Sequence, residues 1–578
     1  MKTFAELKKN LKVLPSNLKS IRVAILGDTA TQLLTIAIKG TAIESGYTFD
    51  VFEADFGQIE NQIYDSTSNL FEFKPEVIII FHSTHRFLLK YNKLLPTEHS
   101  TIAEKQLNLI KDLVEAIDKR LQSTILYFNY PEIDDAVYGN YSNKVKSSFL
   151  FQTRKLNYEL MEFSQSRHNL FLVDVASLQN LRGRLTAFQP SLYVNAEMIF
   201  ALDILPDVAA RAVDIIVSLR GNVKKCLILD LDNTLWGGVI GDDGMENIQI
   251  GGLGIGKAFS ELQYWIRKLK DRGIILAVCS KNSEEIAKEP FEKHPDMVLR
   301  LNDIAVFVAN WEDKVSNIKH IQSILNIGFD SMVFLDDNPF ERNFVRANIS
   351  DIAVPELPED PSEYLEYLYS QNLFETTSVS EADAERTKQY QVEAHRSKAQ
   401  KAFSNEDDFL RDLEMVSVVE RFNKFTTPRV AQLSQRSNQF NLRTVRYSEA
   451  DIESLVRKED YDTLSFTLAD RFGDNGLVCA VVMRKQPESN TLFVESWFMS
   501  CRVLKRGMER FVLNTIIQLA KDSGYMGIVG EYIPSAKNGM VKDHYSKLGF
   551  CQKEQYWHLN LSQYEIKPVY IKTVEGKQ

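Results

Sequence analysis

The sequence predicts a multidomain α/β protein, and three observations lead to this class. The chain has 578 residues, too many for one hydrophobic core, so three or four domains are expected. In roughly its first two thirds, short apolar runs alternate with helical stretches, which is typical of parallel sheets covered by helices. Nearer the C-terminus several strand-like runs follow one another, which favours an α+β domain there.

The first domain is expected to span residues 1–215. A basic amphipathic helix leads into a strand that ends in a tight turn at Gly27, Asp28 and Thr29. Further strand candidates lie at residues 75–81, 124–128 and 170–174. Helical stretches such as residues 105–121 lie between them. This alternation predicts a doubly wound parallel sheet.

Two carboxylates follow the first strand of a second predicted α/β domain, residues 216–375. The apolar run at residues 226–229 ends in Asp230 and Asp232. Ligands of parallel sheets bind just beyond the carboxyl ends of the strands. Two Asp side chains there repel each other unless a divalent cation or a shared proton relieves them. The pair predicts Mg²⁺-assisted phosphoryl transfer in which one Asp attacks phosphorus, although an isolated Asp-x-Asp turn is common.

Later segments of the same domain complete an ordered series of polar residues. They are Ser280 after the run at 274–279, Lys314 before an amphipathic helix, and Asp336 and Asp337 after the run at 331–335. A simple turn is the alternative explanation of the last pair. In this order the residues resemble the haloacid dehalogenase (HAD) superfamily of phosphotransferases.

The HAD resemblance implies a chemical role for each residue. Asp230 is expected to be the nucleophile that forms an aspartyl-phosphate. Asp232 is expected to act as general acid toward the leaving oxygen and then as base. Ser280 and Lys314 are expected to hold the phosphoryl oxygens, and Lys314 also offsets negative charge on the intermediate.

Mg²⁺ is the cofactor that the resemblance implies. It prefers hard oxygen ligands and keeps some of its waters. The expected metal ligands are Asp230, Asp336, Asp337 and, through its backbone carbonyl, Asp232. Substrate contacts are expected from Thr234, Lys281 and Asn282.

The spacing of these motifs predicts an open site. Neither the gap from Asp230 to Ser280 nor that from Ser280 to Lys314 has room for a large cap domain. The first gap is expected to hold a flap-like hairpin at residues 235–252 and a helix at about 256–271. A capless HAD core suits a large substrate such as a carrier protein, unless a neighbouring domain serves as the lid.

The Gly27-Asp28-Thr29 turn resembles the opening block of the SGNH hydrolase fold. A nucleophilic Ser is usual where Thr29 stands, and no late Asp-x-x-His supplies an imidazole base. We therefore expect an SGNH-like domain that is not catalytic.

The remaining chain is expected to form a linker and a C-terminal domain. Residues 376–415 are rich in charge and predict linking helices on a solvated surface. In residues 416–578 the strand-like runs and the helix after Arg502 resemble a GNAT-type N-acyltransferase. In that fold a Gly-rich turn before the helix binds a pyrophosphate. Lys505 stands where the first Gly is expected, so coenzyme A binding is left open.

The motifs around residues 230–244, 278–282, 310–314, 334–342 and 437–442 resemble the FkbH-like, subclass IIIC HAD proteins. That family is linked to polyketide-type assembly lines. The resemblance implies that the glyceryl group of 1,3-bisphosphoglycerate loses phosphate and is loaded as a thioester on an acyl carrier protein.

Three aromatic or thiol side chains near these motifs have two explanations each. Cys279 could accept the acyl group as a thiolate if a metal or Lys lowered its pKa, or it could be a small apolar residue packed under the sheet. Trp236 and Trp311 could line the site or pack in the core.

Composition narrows the possible partners and the location. A net charge of −10 argues against a nucleic-acid partner. Five scattered cysteines favour a reducing compartment. No apolar run has the length of a membrane span, and no signal peptide is evident, so a cytoplasmic enzyme is expected.

Three other functions remain open at this point. The protein could be a stand-alone Mg²⁺-dependent phosphatase of a small phosphorylated metabolite. It could be a GNAT-type acyltransferase with an accessory HAD domain. The flanking domains could also be modules that only dock partners.

Overall fold

The structure, a computed structural model, describes residues 2–12, 15, 18–379, 386–400, 403, 405–535 and 537–574. The chain divides into two compact units, residues 1–218 and 219–578. The predicted end of the first domain, residue 215, lies close to the boundary between them.

Unit one contains a five-stranded sheet in the order β2-β1-β3-β4-β5, and all of its pairings are parallel. Its strands are β1 (Lys19–Gly27), β2 (Tyr47–Glu53), β3 (Val77–Phe81), β4 (Thr124–Phe128) and β5 (Leu170–Val173). Its α-helices are α1 (Phe4–Asn10), α2 (Gln32–Glu44), α3 (Ile59–Tyr64), α4 (Asn69–Phe73), α5 (Thr84–Lys93), α6 (Ile102–Asp118), α7 (Phe149–Gln165), α8 (Val175–Arg182), α9 (Arg184–Ala187), α10 (Pro190–Ala196) and α11 (Leu205–Leu219). This is the doubly wound sheet that the sequence predicts.

Unit two begins with a four-stranded parallel sheet in the order β8-β7-β6-β9. Its strands are β6 (Cys226–Leu229), β7 (Ile275–Ser280), β8 (Ile304–Ala309) and β9 (Met332–Leu335). The helices around it are α12 (Ile240–Asp243), α13 (Gly256–Asp271), α14 (Glu284–Lys293), α15 (Lys314–Leu325), α16 (Pro339–Asn348) and α17 (Tyr364–Gln371). Strand β8 was not among the sequence-based predictions.

Every side chain of β6 is buried, because helices cover both faces of this sheet. Leu227 and Leu229 belong to one apolar layer, whereas Cys226 and Ile228 belong to the other. Such a strand reads as a continuous apolar run, and the first polar side chain after it, Asp230, lies at the sheet edge.

The C-terminal part of unit two contains an eight-stranded mixed sheet in the order β15-β16-β14-β13-β12-β11-β10-β17. Its strands are β10 (Val416–Glu420), β11 (Tyr461–Asp470), β12 (Gly473–Gln486), β13 (Thr491–Met499), β14 (Gly527–Glu531), β15 (Cys551–Lys553), β16 (Tyr556–Asn560) and β17 (Lys572–Val574). The helices are α18 (Arg386–Gln400), α19 (Glu406–Asp412), α20 (Thr427–Arg436), α21 (Glu449–Arg457), α22 (Met508–Asp522) and α23 (His544–Lys547). Strands β10 to β13 pair antiparallel, and β13 then pairs parallel with β14 across the α22 connection.

The predicted solvated linker is wrong for α18. Gln391 donates from Nε2 to the carbonyl of Ile304 at 2.9 Å, at the start of the edge strand β8. Tyr390 is buried in the apolar layer beneath the same sheet. Arg396 is buried and pairs with Asp470 of the C-terminal sheet at 2.8 Å. Polar and aromatic side chains of this helix therefore join two sheets. Residues 380–385 of the predicted linker lie outside the described residues.

The predicted fold class is confirmed: the chain is a multidomain α/β protein with two parallel sheets and an α+β C-terminal part. The division of unit two at residues 375 and 415 stays a prediction, because both of its sheets belong to one compact unit. Among the described residues, no helix has the length and apolar character needed to cross a bilayer.

Candidate active site

The predicted catalytic residues meet at the carboxyl edge of the four-stranded sheet. Asp230 directly follows β6, Ser280 is the last residue of β7, and Asp336 directly follows β9. Lys314 begins α15, which follows β8. Neighbouring parallel strands end at the same edge, so residues far apart in the chain come together.

Lys314 is the centre of the arrangement. Its Nζ lies 2.7 Å from Oδ2 of Asp230 and also pairs with Oδ2 of Asp336, and all three side chains are buried. Burial lowers the pKa of Lys314, but the two carboxylates more than offset this and raise its pKa overall. Lys314 is therefore a permanent positive charge.

Local structure positions Lys314 precisely at the start of its helix. The carboxylate of Asp313 caps α15 by accepting from the Ser316 N–H at 2.9 Å. Asn310 and Asn317 exchange side-chain amide hydrogen bonds of 3.1 and 2.8 Å, which tie the loop after β8 to the first turns of the helix.

Three carboxylates could hold a metal ion. One carboxylate oxygen each from Asp230, Asp336 and Asp337 lies within 4.8 Å of the other two. Among the described residues, this is the one cluster of possible metal ligands. Burial and the neighbouring Asp230 raise the pKa of Asp336 to about 7, and the same causes raise the pKa of Asp337. A hard dication would relieve this crowding of buried carboxyl groups, so the donor set fits Mg²⁺.

The Asp232 side chain is not part of the metal group, because other residues hold it. Oδ1 accepts from the Trp236 ring N–H and from the Ile240 backbone N–H, both at 3.0 Å, and Oδ2 accepts from Asn282 at 3.2 Å. Burial raises the pKa of Asp232, although the first two hydrogen bonds oppose the shift. A raised pKa suits a general acid. The geometry agrees with the expectation that only the backbone carbonyl of Asp232 serves a metal.

Trp236 orients Asp232, the predicted general acid, as well as filling the core. Its ring is fully buried and packs edge-on against Phe291, with centroids 6.0 Å apart. We expect Trp236→Phe to keep this packing but lose the hydrogen bond to Asp232. The free energy of unfolding should fall by about 1 kcal/mol. kcat should fall by roughly 10-fold, because a misplaced acid loses part of its rate contribution.

Steady-state kinetics and chemical unfolding test this prediction. Trp265→Phe is a matched control, because Trp265 packs against Phe374 on the far side of α13. Equal losses of kcat in both variants would contradict a role for the indole N–H.

The three predicted substrate contacts have different positions. Thr234 is fully buried and ties the two acidic loops together: it accepts the Asp337 N–H at 3.1 Å and donates to the Asp337 carboxylate at 3.3 Å. Asn282 is buried against Asp232. Only Lys281 is exposed at the edge, where it pairs with Glu341 at 2.6 Å. The hydroxyl of Thr234 and the amide of Asn282 thus hold Asp337 and Asp232 in place, and substrate contacts of the three residues stay a prediction.

Cys279 is unsuited to a covalent role. Its side chain lies in the apolar layer that contains Ile318 and Phe334, the layer opposite to that of Val278. Burial raises the pKa of the Cys279 thiol, which suppresses the thiolate. The structure supports the alternative of a small packed residue. Trp311, in contrast, is 78% exposed in the loop that leads to Lys314.

Arg342 is a site residue that the sequence did not reveal. It is buried, and its guanidinium donates to the carbonyls of Asp336 and Asp337 at 2.9 and 2.6 Å while pairing with Glu356. It lies in the first turns of α16, which Asn338 caps by accepting from the Phe340 N–H. The possible signal was a single Arg shortly after the Asp-Asp pair.

The site has no inserted cap. All residues from Asp230 to Lys314 are described, and they form only α12, α13, β7, α14, a short 3₁₀ turn and β8. The predicted flap closes through a single pair of backbone hydrogen bonds between Gly237 and Gln249, at 3.0 and 2.8 Å. A helical turn, α12, occupies its tip in place of a β-turn.

The polar side chains of the SGNH-like turn of unit one lie in buried positions, and the absence of catalysis there stays a prediction. Thr29 is fully buried, and the next residue, Ala30, donates its N–H to the Glu197 carbonyl at 3.0 Å. Asp28 accepts the Ser83 N–H, and burial raises the pKa of Asp28 to about 7. His82 forms a hydrogen bond with the Tyr127 hydroxyl, and burial lowers the pKa of His82 to about 3.

We expect Thr29→Val to leave phosphatase activity unchanged and to raise the free energy of unfolding by about 1 kcal/mol. The Thr29 hydroxyl is buried and has no hydrogen-bond partner among the described residues, so an isosteric methyl group removes a desolvation cost. Chemical unfolding of the full chain measures the change. A loss of hydrolytic activity toward small esters in this variant would instead reveal a working hydroxyl.

In the turn before α22, Lys505 stands where a GNAT-type turn has its first glycine, and its backbone has a conformation that glycine favours. Lys505 has φ +64°, in the left-handed region. The next residue, Arg506, is buried and pairs with Asp470 at 3.2 Å and with Glu393. The Arg506 guanidinium at this helix start is thus engaged by carboxylates of the chain itself.

A family profile described as "FkbH, N-terminal domain" matches residues 22–217. A crystal structure of the N-terminal part of the protein BF1531 from Bacteroides fragilis, described as containing a phosphatase domain complexed with Mg, is 55% identical. That match covers 65% of this chain and 100% of the other, with a TM-score of 0.64. The search of curated proteins gave no match.

Acetyltransferase structures match a smaller part of the chain. The ribosomal-protein-S18-alanine N-acetyltransferase from Escherichia coli is 15% identical and covers 26% of this chain and 96% of its own, with a TM-score of 0.21. A putative GNAT-family acetyltransferase from Desulfovibrio desulfuricans is 12% identical and covers 25% and 99%, with a TM-score of 0.22. Scores this low carry no argument about activity.

The fold and the site place this chain in the class of proteins that contain a HAD-type phosphatase domain. Its Bacteroides relative is matched over its full length at 55% identity, and the N-terminal profile agrees. The chain belongs to the FkbH-like family of HAD proteins. The magnesium prediction agrees with the description of that relative.

Proposed function

We propose that the protein is a Mg²⁺-dependent phosphatase and acyltransferase that acts in the cytoplasm. It takes a phosphorylated three-carbon acyl donor of the 1,3-bisphosphoglycerate type, removes phosphate, and loads the acyl group on an acyl carrier protein. The observation that carries the phosphatase part is the buried cluster of Lys314 with Asp230 and Asp336, beside Asp337 and Asp232. The acyl donor and carrier follow from the family resemblance.

The chain's own residues perform phosphate removal in two steps. Asp230 attacks phosphorus, and the bond from phosphorus to the substrate oxygen breaks as Asp232 donates its proton to that oxygen. Asp232 then takes a proton from water, whose oxygen displaces Asp230 and releases inorganic phosphate. Lys314 stabilises the charge on the phosphoryl oxygens throughout.

Mg²⁺ held by Asp230, Asp336 and Asp337 would supply further polarisation of the phosphoryl group. Arg342 keeps the last two residues in place through their carbonyls.

Acyl loading requires a thiol from outside this site, because Cys279 is buried with a raised thiol pKa. In our proposal Asp230 removes the ester phosphate of the donor, whereas the acyl phosphate stays intact until loading. The thiolate of the carrier's phosphopantetheine then attacks the carbonyl carbon of that acyl phosphate. The carbon–oxygen bond to phosphate breaks, and phosphate leaves as the thioester forms. The capless edge leaves room for a macromolecular thiol donor.

Intact mass spectrometry of the carrier tests the proposal. The enzyme is incubated with Mg²⁺, 1,3-bisphosphoglycerate and a phosphopantetheinylated carrier. We expect a glyceryl mass shift that disappears in Asp230→Asn. The burial of Cys279 favours a second candidate, a phosphatase without acyl transfer, which would release phosphate while leaving several candidate carriers unmodified. Acetyl-CoA turnover that survives Asp230→Asn would instead indicate a GNAT-type acyltransferase.

A further inference from the structure

A cavity of about 590 Å³ lies within unit two, away from the phosphatase site. On one side it is lined by Lys225, Ile275 and Ser331, which begin or directly precede β6, β7 and β9. The catalytic residues follow the other ends of the same strands, so the cavity lies at the opposite edge of the sheet. Its volume is within the range of about 300–1,000 Å³ that is usual for small-molecule sites.

The opposite wall comes from the C-terminal part. It includes residues 499–502, from the last residue of β13 into the loop before α22, and residues 436–440, which overlap the motif that resembled the FkbH-like family. Asn438 of this motif donates to the Gly221 carbonyl at 2.8 Å, in the segment before β6. The cavity is thus enclosed by elements that hydrogen bonds hold together.

Positive charge predominates in the lining. Two carboxylates, Asp330 and Asp351, face five cationic side chains: Lys225, Arg429, Arg436, Arg502 and Lys537. This local excess contrasts with the net charge of −10 for the whole chain, and it favours an anionic ligand.

Neighbouring groups hold several of these cations in place. Lys225 donates to the Arg436 carbonyl at 2.9 Å, and Lys537 pairs with Asp330. Arg436 donates to the Ser378 carbonyl at 3.0 Å. A ligand would therefore meet charges whose positions are already set, which lowers the entropy cost of binding.

Aromatic side chains supply the apolar part of the wall. Phe329, Tyr390 and Phe440 line the same cavity. Aromatic faces beside cationic groups suit a ligand that combines phosphate groups with a planar ring.

The chain itself fills the split between β13 and β14. These strands pair only from Thr491 to Val494 on β13. Beyond that point residues 440–442 lie between them: Met499 donates to the Phe440 carbonyl at 3.0 Å, and Leu442 donates to the Trp497 carbonyl at 3.2 Å. On the other side Ile533 donates to the Leu442 carbonyl at 2.9 Å. An extended ligand arm has no free edge of β13 along which to bind.

We propose that this cavity binds a phosphorylated organic anion of nucleotide size, with no contribution from a pantetheine arm. The site is independent of the phosphatase reaction. Its cations bind the phosphate groups, and its aromatic wall contacts the ring. Residues 440–442 exclude an arm that would extend along β13.

Isothermal titration calorimetry of the full chain in EDTA tests the site, with ADP, inorganic pyrophosphate and coenzyme A as probes. ADP should bind, and Arg429→Gln should lower the affinity for ADP by about 10-fold or more. Lys225→Gln, a second variant on the opposite wall, should weaken it similarly. Arg457→Gln removes an exposed cation of α21 outside the cavity and should leave binding unchanged. Asp230→Asn should also leave it unchanged.

Each of the following outcomes would contradict one part of the proposed binding site. No heat from ADP at about 1 mM would overturn the site. Binding lost in Asp230→Asn but kept in Arg429→Gln would place ADP at the phosphatase site. If pyrophosphate bound as tightly as ADP, the aromatic wall would have no role in binding. Coenzyme A binding about 10-fold tighter than ADP would show that an arm is accommodated after all. Thermal unfolding of each variant distinguishes lost binding from lost fold.

Discussion

Asp230→Asn is expected to reduce phosphate release by about 10⁴-fold or more. The amide cannot form the aspartyl-phosphate, so the two-step route through a covalent intermediate is lost. The protein should remain folded, because the substitution removes one of three crowded carboxylates while Lys314 keeps its pairing with Asp336. Phosphate release from a small aryl phosphate in Mg²⁺ measures the effect.

A matched control is Asp271→Asn, at the exposed end of α13 near the amino edge of the sheet. It changes the net charge by the same amount and should retain activity. Residual activity in Asp230→Asn within about 10-fold of wild type would mean that another group attacks phosphorus.

Lys314→Met should lower both activity and stability. It removes the counter-charge of two buried carboxylates, and breaking a buried pair by deleting one partner costs about 3–5 kcal/mol. Without metal we expect the melting temperature of the variant to fall markedly. Activity in Mg²⁺ should fall by about 10²–10³-fold, because a positive charge on the phosphoryl oxygens is lost.

Thermal unfolding in EDTA and in Mg²⁺, together with kcat, measures these effects. Mg²⁺ should raise the melting temperature of Lys314→Met by more than it raises that of the wild type, because the dication replaces part of the lost charge. Lys319→Met, which removes an exposed lysine of the same helix, should change neither quantity. An unaltered melting temperature in EDTA would show that Asp230 and Asp336 do not depend on Lys314 for their stability.

Sequence reasoning placed the predicted catalytic residues at one edge of a sheet, because their positions depend on local pattern. Asp230, Ser280 and Asp336 each end a short apolar run, and a parallel sheet brings such ends to one edge. The same reasoning could not distinguish side chains that touch substrate from those that position others. Thr234 and Asn282 are expected to bind substrate, and in the structure each also forms hydrogen bonds to a catalytic loop or to Asp232.

The error in the linker prediction has its physical origin in contacts between residues far apart in the chain. The charged composition of α18 predicted a solvated helix, but Arg396 finds Asp470 on another sheet, and the pair is buried.

By itself the sequence determined the α/β class, the order of the motifs, and which side chains meet at the carboxyl edge of the second sheet. Those features follow from apolar periodicity and strand ends, which nearby residues set. Tertiary structure alone decided that Arg396 pairs with Asp470, that residues 440–442 fill the split between β13 and β14, and that five cations line one cavity. These depend on packing between distant segments, which no local pattern encodes.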